Sequence, residues 1–102
     1  MIEYQKLVRD KIPQIIRNSG AMPITRVLDD AEYLSCLENK LDEEAAEFHR
    51  DNNIEELADI LEVVYAFAEA DGYSQDDLNR FCAEKRAERG GFHDRIFLVG
   101  KE

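Results

Sequence analysis

Apolar residues recur at helical spacing in the middle of the chain, in the stripe formed by Leu34, Leu37, Leu41, Ala45 and Phe48. Intervals of three and four residues predict an amphipathic helix that runs to about His49. Asp29 or Asp30 can act as its N-cap, because a carboxylate oxygen accepts a hydrogen bond from a free N–H group of the first turn.

A second central helix is predicted from about Ile54 to Ala70. The residues Asp51–Asn53 before it favour a tight turn, and Asp71 and Gly72 end it. Its apolar residues surround most of the helix: Leu57, Ile60, Leu61, Val63, Val64, Tyr65 and Phe67. Because such a helix is buried on several sides, it indicates a subunit interface. We therefore expect a homodimer or a higher homo-oligomer.

Two further helices flank this pair. A short helix is predicted over Leu7–Asn18, and Ser74 with Asp77 resembles a capping box that opens a helix to about Glu88. At 102 residues, with 44% hydrophobic composition, the chain has the size of one domain. The pattern predicts an all-α, four- to five-helix bundle that forms a single domain over residues 1–102.

The two ends of the chain carry short β-prone segments. The run Arg95–Val99 follows Gly90 and Gly91, and Tyr4–Leu7 lies near the other end. These segments can pair with each other, so the bundle is expected to carry a short terminal β-hairpin.

The net charge is −10, and the excess is concentrated between Asp29 and Glu62, where thirteen acidic residues face only Lys40 and Arg50. This charge argues against nucleic acid as a partner and indicates a segment that attracts cations. The longest apolar run, Val63–Ala68, is far shorter than the roughly 18 residues of a membrane span. No apolar leader follows Met1, so we expect a cytoplasmic protein with no membrane partner.

Two sets of carboxylates stand at unusual positions: Glu43-Glu44-x-x-Glu47 on the first central helix and Glu56-x-x-Asp59 on the second. Spacings of three or four place like charges side by side, which is unfavourable without a cation. Glu44 and Glu56 also lie in line with apolar stripes. Four other glutamates of these helices are expected on solvated faces: Glu38, Glu55, Glu62 and Glu69.

An antiparallel hairpin centred between residues 51 and 52 places residues whose numbers sum to 103 at the same height. Glu44 then faces Asp59, and Glu47 faces Glu56. Four hard oxygen ligands on one patch suit Mg²⁺, with Mn²⁺ as a substitute. The alternative is a helix pair cross-linked by salt bridges, but only Lys40 and Arg50 lie within helical reach to form them.

These motifs resemble those of the all-α nucleotide pyrophosphohydrolases, the superfamily that includes MazG-like enzymes, dimeric dUTPases and phosphoribosyl-ATP pyrophosphohydrolase. The shared signature is Glu-Glu-x-x-Glu on one helix and Glu-x-x-Asp on the next, matched by residues 43–47 and 56–59. Residues 4–13 and 85–92 are similar to a small phosphoribosyl-ATP pyrophosphohydrolase-like subgroup. The link between the two acidic sets is shorter than in many relatives, so the base-recognition loop that those relatives carry there is absent.

The resemblance implies Mg²⁺-dependent hydrolysis of a nucleoside triphosphate, a non-standard one in a house-cleaning enzyme, to the monophosphate and pyrophosphate. It implies metal ligation by Glu44, Glu47, Glu56 and Asp59. Catalytic roles would fall to Glu43, Glu44 and Glu47, with Glu43 at a second metal or at the attacking water. Candidate phosphate-binding residues are Lys6, Arg9, Lys40, Lys85 and Arg89.

Two other functions stay open. One is hydrolysis of phosphoribosyl-ATP, which a nucleotide panel containing that compound distinguishes. The other is a non-enzymatic acidic helical adaptor, which predicts neither Mg²⁺ binding nor pyrophosphate release.

Overall fold

The computed structural model describes all 102 residues and contains four α-helices and no strand. They are α1 (Ile12–Asn18), α2 (Asp30–Asp51), α3 (Ile54–Ala70) and α4 (Gln75–Arg89). The prediction of an all-α fold is confirmed. None of the helices combines the length and the apolar character needed to cross a membrane.

The α2–α3 hairpin is the main packing unit. At its start, the Asp29 side chain accepts a hydrogen bond of 2.8 Å from the backbone N–H of Glu32. Asn52 ends α2 in the left-handed conformation, with φ of 50°, and Asn53 caps α3 by accepting a 3.0 Å hydrogen bond from the N–H of Glu56. Two adjacent asparagines thus end one helix and begin the next, which fixes the register of the hairpin.

The fourth helix is well formed but poorly covered. The predicted capping box is present: the Ser74 side chain accepts from the N–H of Asp77, and Asp77 accepts from the N–H of Ser74. The helix has no buried residue and ends before Gly90, whose φ is 82°. The local sequence therefore specifies α4, although no other part of the same chain buries any of its residues.

One predicted boundary and one predicted element are wrong. The first helix begins at Ile12 rather than at Leu7, because Pro13 lacks an N–H and belongs in the first turn of a helix. The terminal β-hairpin does not form. Residues 95–99 are exposed and irregular, and the segment Tyr4–Leu7 lies instead against the hairpin, where Leu7 lines a cavity and Lys6 pairs with Glu43.

Little of the chain is buried. Leu37 of α2 and Val63 of α3 are the only buried apolar residues, and Glu44 is the third buried residue. The radius of gyration is 17.9 Å, well above the roughly 13 Å of a compact chain of about 100 residues. The site described below thus lies at the one place where this chain packs closely on itself.

Candidate metal centre

Four carboxylates converge on one patch of the hairpin. Glu44 and Glu47 lie one turn apart on α2, and Glu56 and Asp59 lie one turn apart on α3. One carboxylate oxygen from each can be chosen so that all four lie within 4.8 Å of one another. The expected juxtaposition is confirmed, and these residues are called the four-carboxylate cluster below.

The cluster contains oxygens that no protein group satisfies. The Glu44 residue is only 6% exposed. Its Oε2 atom is buried without a hydrogen-bond partner, and so is Oε2 of Glu56. A buried acceptor is expensive to leave unpaired. Hard oxygen donors that converge in this way fit a divalent cation such as Mg²⁺ or Mn²⁺.

Basic side chains reach one part of this cluster. The Lys40 ammonium lies 3.1 Å from Oε1 of Glu44 and 3.5 Å from Oε2 of Glu43. The Arg9 guanidinium lies 2.6 Å from Oδ1 of Asp59. The expectation that only residues of the two helices could supply salt bridges is therefore incomplete, because the N-terminal segment also brings cations to the site.

The compensation of charge is uneven. Glu44 and Asp59 each pair with a basic residue, whereas neither Glu47 nor Glu56 forms an ion pair. Salt bridges therefore engage one oxygen of Glu44 and one of Asp59. They leave Oε2 of Glu44 unpaired and do not reach Glu47 or Glu56, so a network of salt bridges does not explain the cluster.

The protonation of Glu44 reflects this setting. Burial raises the pKa of Glu44, and the neighbouring Glu47 carboxyl group raises it further, while Lys40 acts in the opposite direction. Burial alone would lower the pKa of Lys40, but its contacts with Glu44 and Glu43 outweigh burial and raise it. The difference has a simple cause: Lys40 contacts two carboxylates, whereas Glu44 is buried and contacts one ammonium and a second acid.

Glu43 stands beside the cluster rather than in it. Its two oxygens lie 3.8 Å from the Lys6 ammonium and 3.5 Å from that of Lys40. The side chain is half-buried and is held by two cations. A role for Glu43 at a second metal or at the attacking water stays a prediction.

The five predicted phosphate-binding residues divide into two groups. Lys6, Arg9 and Lys40 form ion pairs at or beside the four-carboxylate cluster. Lys85 and Arg89 are exposed on α4 and form no ion pair with the cluster. Within one chain, the structure brings three of the five to the site.

A cavity of about 220 Å³ adjoins the cluster and is bounded by the N-terminal segment, α2 and α3. Its lining includes the half-buried Tyr33 together with Glu62 and Glu69, which are exposed as the sequence predicts. Glu62 and Glu69 follow Asp59 by three and ten residues, so helical spacing puts all three on one face. This helical spacing is the sequence signal that places Glu62 and Glu69 on the same side of α3 as Asp59.

Comparison with known proteins identifies no family. No protein-family model matches the chain, and no solved structure matches it. The chain is similar to an uncharacterized protein of Mycolicibacterium smegmatis, with 57% identity over 42 residues. The match covers 41% of this chain and 43% of that protein, so the chain spans less than half of the curated relative it matches.

Proposed function

We propose that the protein hydrolyses a nucleoside triphosphate to the monophosphate and pyrophosphate, and that it requires Mg²⁺. The observation that carries this proposal is the four-carboxylate cluster, with its buried and unpaired oxygens on Glu44 and Glu56. The motif resemblance to the MazG-like pyrophosphohydrolases supports it, because the clustered residues are those that match the superfamily signature.

Glu44, Glu47, Glu56 and Asp59 would hold the metal. When bound, Mg²⁺ would neutralise phosphate charge and lower the pKa of a water molecule. Mn²⁺ would replace it, since both prefer oxygen ligands and octahedral geometry. In the reaction, one water molecule is consumed and the anhydride bond between the α- and β-phosphates is broken.

The remaining groups of the site bind and orient the substrate in this proposal. Lys6, Arg9 and Lys40 bind phosphate oxygens, since ammonium and guanidinium groups donate charge-assisted hydrogen bonds to them. Glu43 lies beside Lys6 and Lys40 and orients the attacking water. No serine or cysteine nucleophile is required. A cytoplasmic location remains part of the proposal.

A pyrophosphate-release screen tests this function. The purified protein is incubated with standard and modified nucleoside triphosphates and with phosphoribosyl-ATP, each with Mg²⁺, with Mn²⁺ or with EDTA. The proposal expects metal-dependent release with at least one triphosphate. A response confined to phosphoribosyl-ATP would identify the rival activity, and no release from any compound would favour an adaptor.

We also propose that a second copy of the chain covers α3 and α4. The accessible surface is 9203 Å², whereas a compact monomer of this mass exposes about 5,900 Å². The excess of about 3,300 Å² per chain is more than the roughly 1,000–2,500 Å² that each partner of an obligate dimer buries, because the irregular ends of the chain are exposed as well. Leu57 and Leu61 of α3 are 43% and 47% exposed.

The apolar groove between the last turns of α3 and the start of α4 continues this uncovered surface. It is lined by Val64, Phe67, Ala68, Tyr73, Leu78 and Phe81, together with Asp71. A second identical chain is the occupant that matches this apolar character, since a two-fold interface joins the same surface of each copy. Dimerisation would also place Lys85 and Arg89, which are exposed on α4, next to the neighbouring subunit.

A further inference from the structure

The cavity beside the four-carboxylate cluster presents mainly hydrogen-bond acceptors away from the cluster. Glu62 and Glu69 are exposed residues that line it, and neither side chain forms an ion pair or a hydrogen bond within the protein. The only basic residues in its lining are Arg9 and Lys40, which already pair with carboxylates of the cluster. An ionised carboxylate can only accept hydrogen bonds. A ligand group that contacts Glu62 or Glu69 must therefore donate a hydrogen bond to it.

The acceptors lie in line with the cluster. At a rise of 1.5 Å per residue, Glu62 lies about 4.5 Å and Glu69 about 15 Å along α3 from Asp59. A nucleotide whose phosphates lie at the cluster and whose long axis follows α3 places its sugar nearer Glu62 and its base nearer Glu69. In this orientation the phosphates, the sugar and the base follow one another along the axis of α3.

The same end of the cavity offers surfaces for a flat ring. Tyr65 lies one turn before Glu69 on α3, and Tyr33 of α2 lines the same cavity. Aromatic rings stack on every nucleobase and leave the choice of base to hydrogen bonds at the ring edge. Ala66, also in the lining, has a small side chain that leaves room beside Tyr65. The volume of about 220 Å³ is below the roughly 300–1,000 Å³ of common ligand pockets, which fits part of a nucleotide.

We propose that this cavity binds the nucleoside part of the substrate and that Glu69 selects a base with two adjacent N–H donors, as guanine has. The inference rests on the proposed function, because it takes the phosphates to lie at the cluster. Guanine presents its N1–H and its 2-amino group side by side, which matches the two oxygens of a carboxylate. The sugar hydroxyls lie at Glu62.

Other bases match this acceptor less well. Hypoxanthine keeps the N1–H and lacks the 2-amino group. Uracil and thymine place a carbonyl oxygen on each side of their N–H, and those oxygens would face the carboxylate of Glu69. Adenine and cytosine offer an amino group beside a ring nitrogen that can only accept. Guanine is therefore expected to be preferred, because sites that pair with a polar group discriminate against analogues that lack it.

The test compares GTP with ITP, which differ only by the 2-amino group. The wild-type protein should show a kcat/KM for GTP at least roughly tenfold above that for ITP. Glu69→Gln should reduce this ratio to within about twofold, because the amide offers one acceptor instead of two. Glu55→Gln is the matched control, since Glu55 is exposed on the same helix and does not line the cavity. The control should keep the wild-type ratio.

Binding of GMP and IMP, measured by calorimetry with Mg²⁺ present, provides a readout that does not need catalysis. Tighter binding of GMP that is lost in Glu69→Gln supports the inference even if no triphosphate is hydrolysed. Hydrolysis of GTP and ITP at equal kcat/KM overturns the base selection and leaves the proposed function standing. A protein that hydrolyses no triphosphate and binds GMP and IMP equally, or binds neither, overturns both the base selection and the proposed function.

Discussion

Glu47 and Glu56 face each other across the α2–α3 hairpin with carboxylate oxygens within 4.8 Å, and no basic side chain pairs with either one. One turn away, Glu44 pairs with Lys40 and Asp59 pairs with Arg9. Because like charges at this distance repel, the uncompensated pair Glu47 and Glu56 is unfavourable without a metal.

Replacing Glu56 by Gln should stabilise the metal-free protein. The substitution keeps the size of the side chain, removes an unpaired charge and lets the new amide donate to a neighbouring carboxylate. We expect a higher melting temperature in EDTA, with a gain of up to about 1–3 kcal/mol, the usual cost of an unsatisfied buried acceptor. Mg²⁺ should stabilise the wild type and should stabilise the variant much less.

Glu55→Gln serves as the control for this melt, because Glu55 is the exposed neighbour on the same turn. It should change the melting temperature little, with or without Mg²⁺. A lower melting temperature for Glu56→Gln in EDTA would mean that Glu56 belongs to a structural ion pair, contrary to the metal-site account.

Arg9 is expected to compete with the metal for Asp59. Their contact of 2.6 Å occupies Oδ1 of Asp59, and both side chains are partly exposed, so its loss should alter stability by less than about 1 kcal/mol. Arg9→Ala should bind Mg²⁺ more tightly in calorimetry and should show a raised KM for the triphosphate. Arg17→Ala, an exposed site on α1, is the control. Weaker Mg²⁺ binding with an unchanged KM would contradict both roles.

Metal affinity should depend on pH through Glu44. Burial, and then the neighbouring Glu47, raise the pKa of Glu44, so the folded protein holds this proton more tightly than an unfolded chain does. A proton and Mg²⁺ compete for the same carboxylate. Titrations should therefore show Mg²⁺ affinity decreasing from neutral to mildly acidic pH. Affinity that stays constant, or increases, over this range would exclude Glu44 as a ligand.

The uncovered surface of α3 and α4 should be an interface in solution. Light scattering at micromolar concentration should give twice the chain mass of 11.8 kDa or a higher multiple. Replacing Leu61, which is 47% exposed, by Glu should shift the mass towards the monomer, because it places a charge in an apolar interface. A monomer for the wild-type protein, with and without Mg²⁺, would remove this part of the account.

The cluster itself was predictable from the sequence, because its geometry depends on local features. Asn52 and Asn53 fix a two-residue turn, and the helical repeat then sets which side chains meet. The prediction counted from a centre between residues 51 and 52, whereas the turn at Asn52 and Asn53 shifts that centre by one residue. The shift is small enough that the four carboxylates still converge.

The N-terminal part of the site could not be predicted in the same way. Residues 1–9 lie outside regular structure, so no periodicity connects Arg9 to Asp59, which is 50 positions away. The β-propensity of residues 95–99 misled the prediction of a terminal hairpin, since a strand forms only where a partner strand is available. Leu7 and Lys6, which belong to the expected partner, are engaged with the α2–α3 hairpin instead.

The products formed from a nucleoside triphosphate test the central claim most directly. The wild-type protein is incubated with GTP and Mg²⁺, with EDTA in a parallel sample, and the products are identified by ³¹P NMR. The account predicts GMP and pyrophosphate in the Mg²⁺ sample, no products in the EDTA sample and little turnover by Glu56→Gln. Orthophosphate released directly from the γ position, or pyrophosphate formed equally well in EDTA, would contradict it.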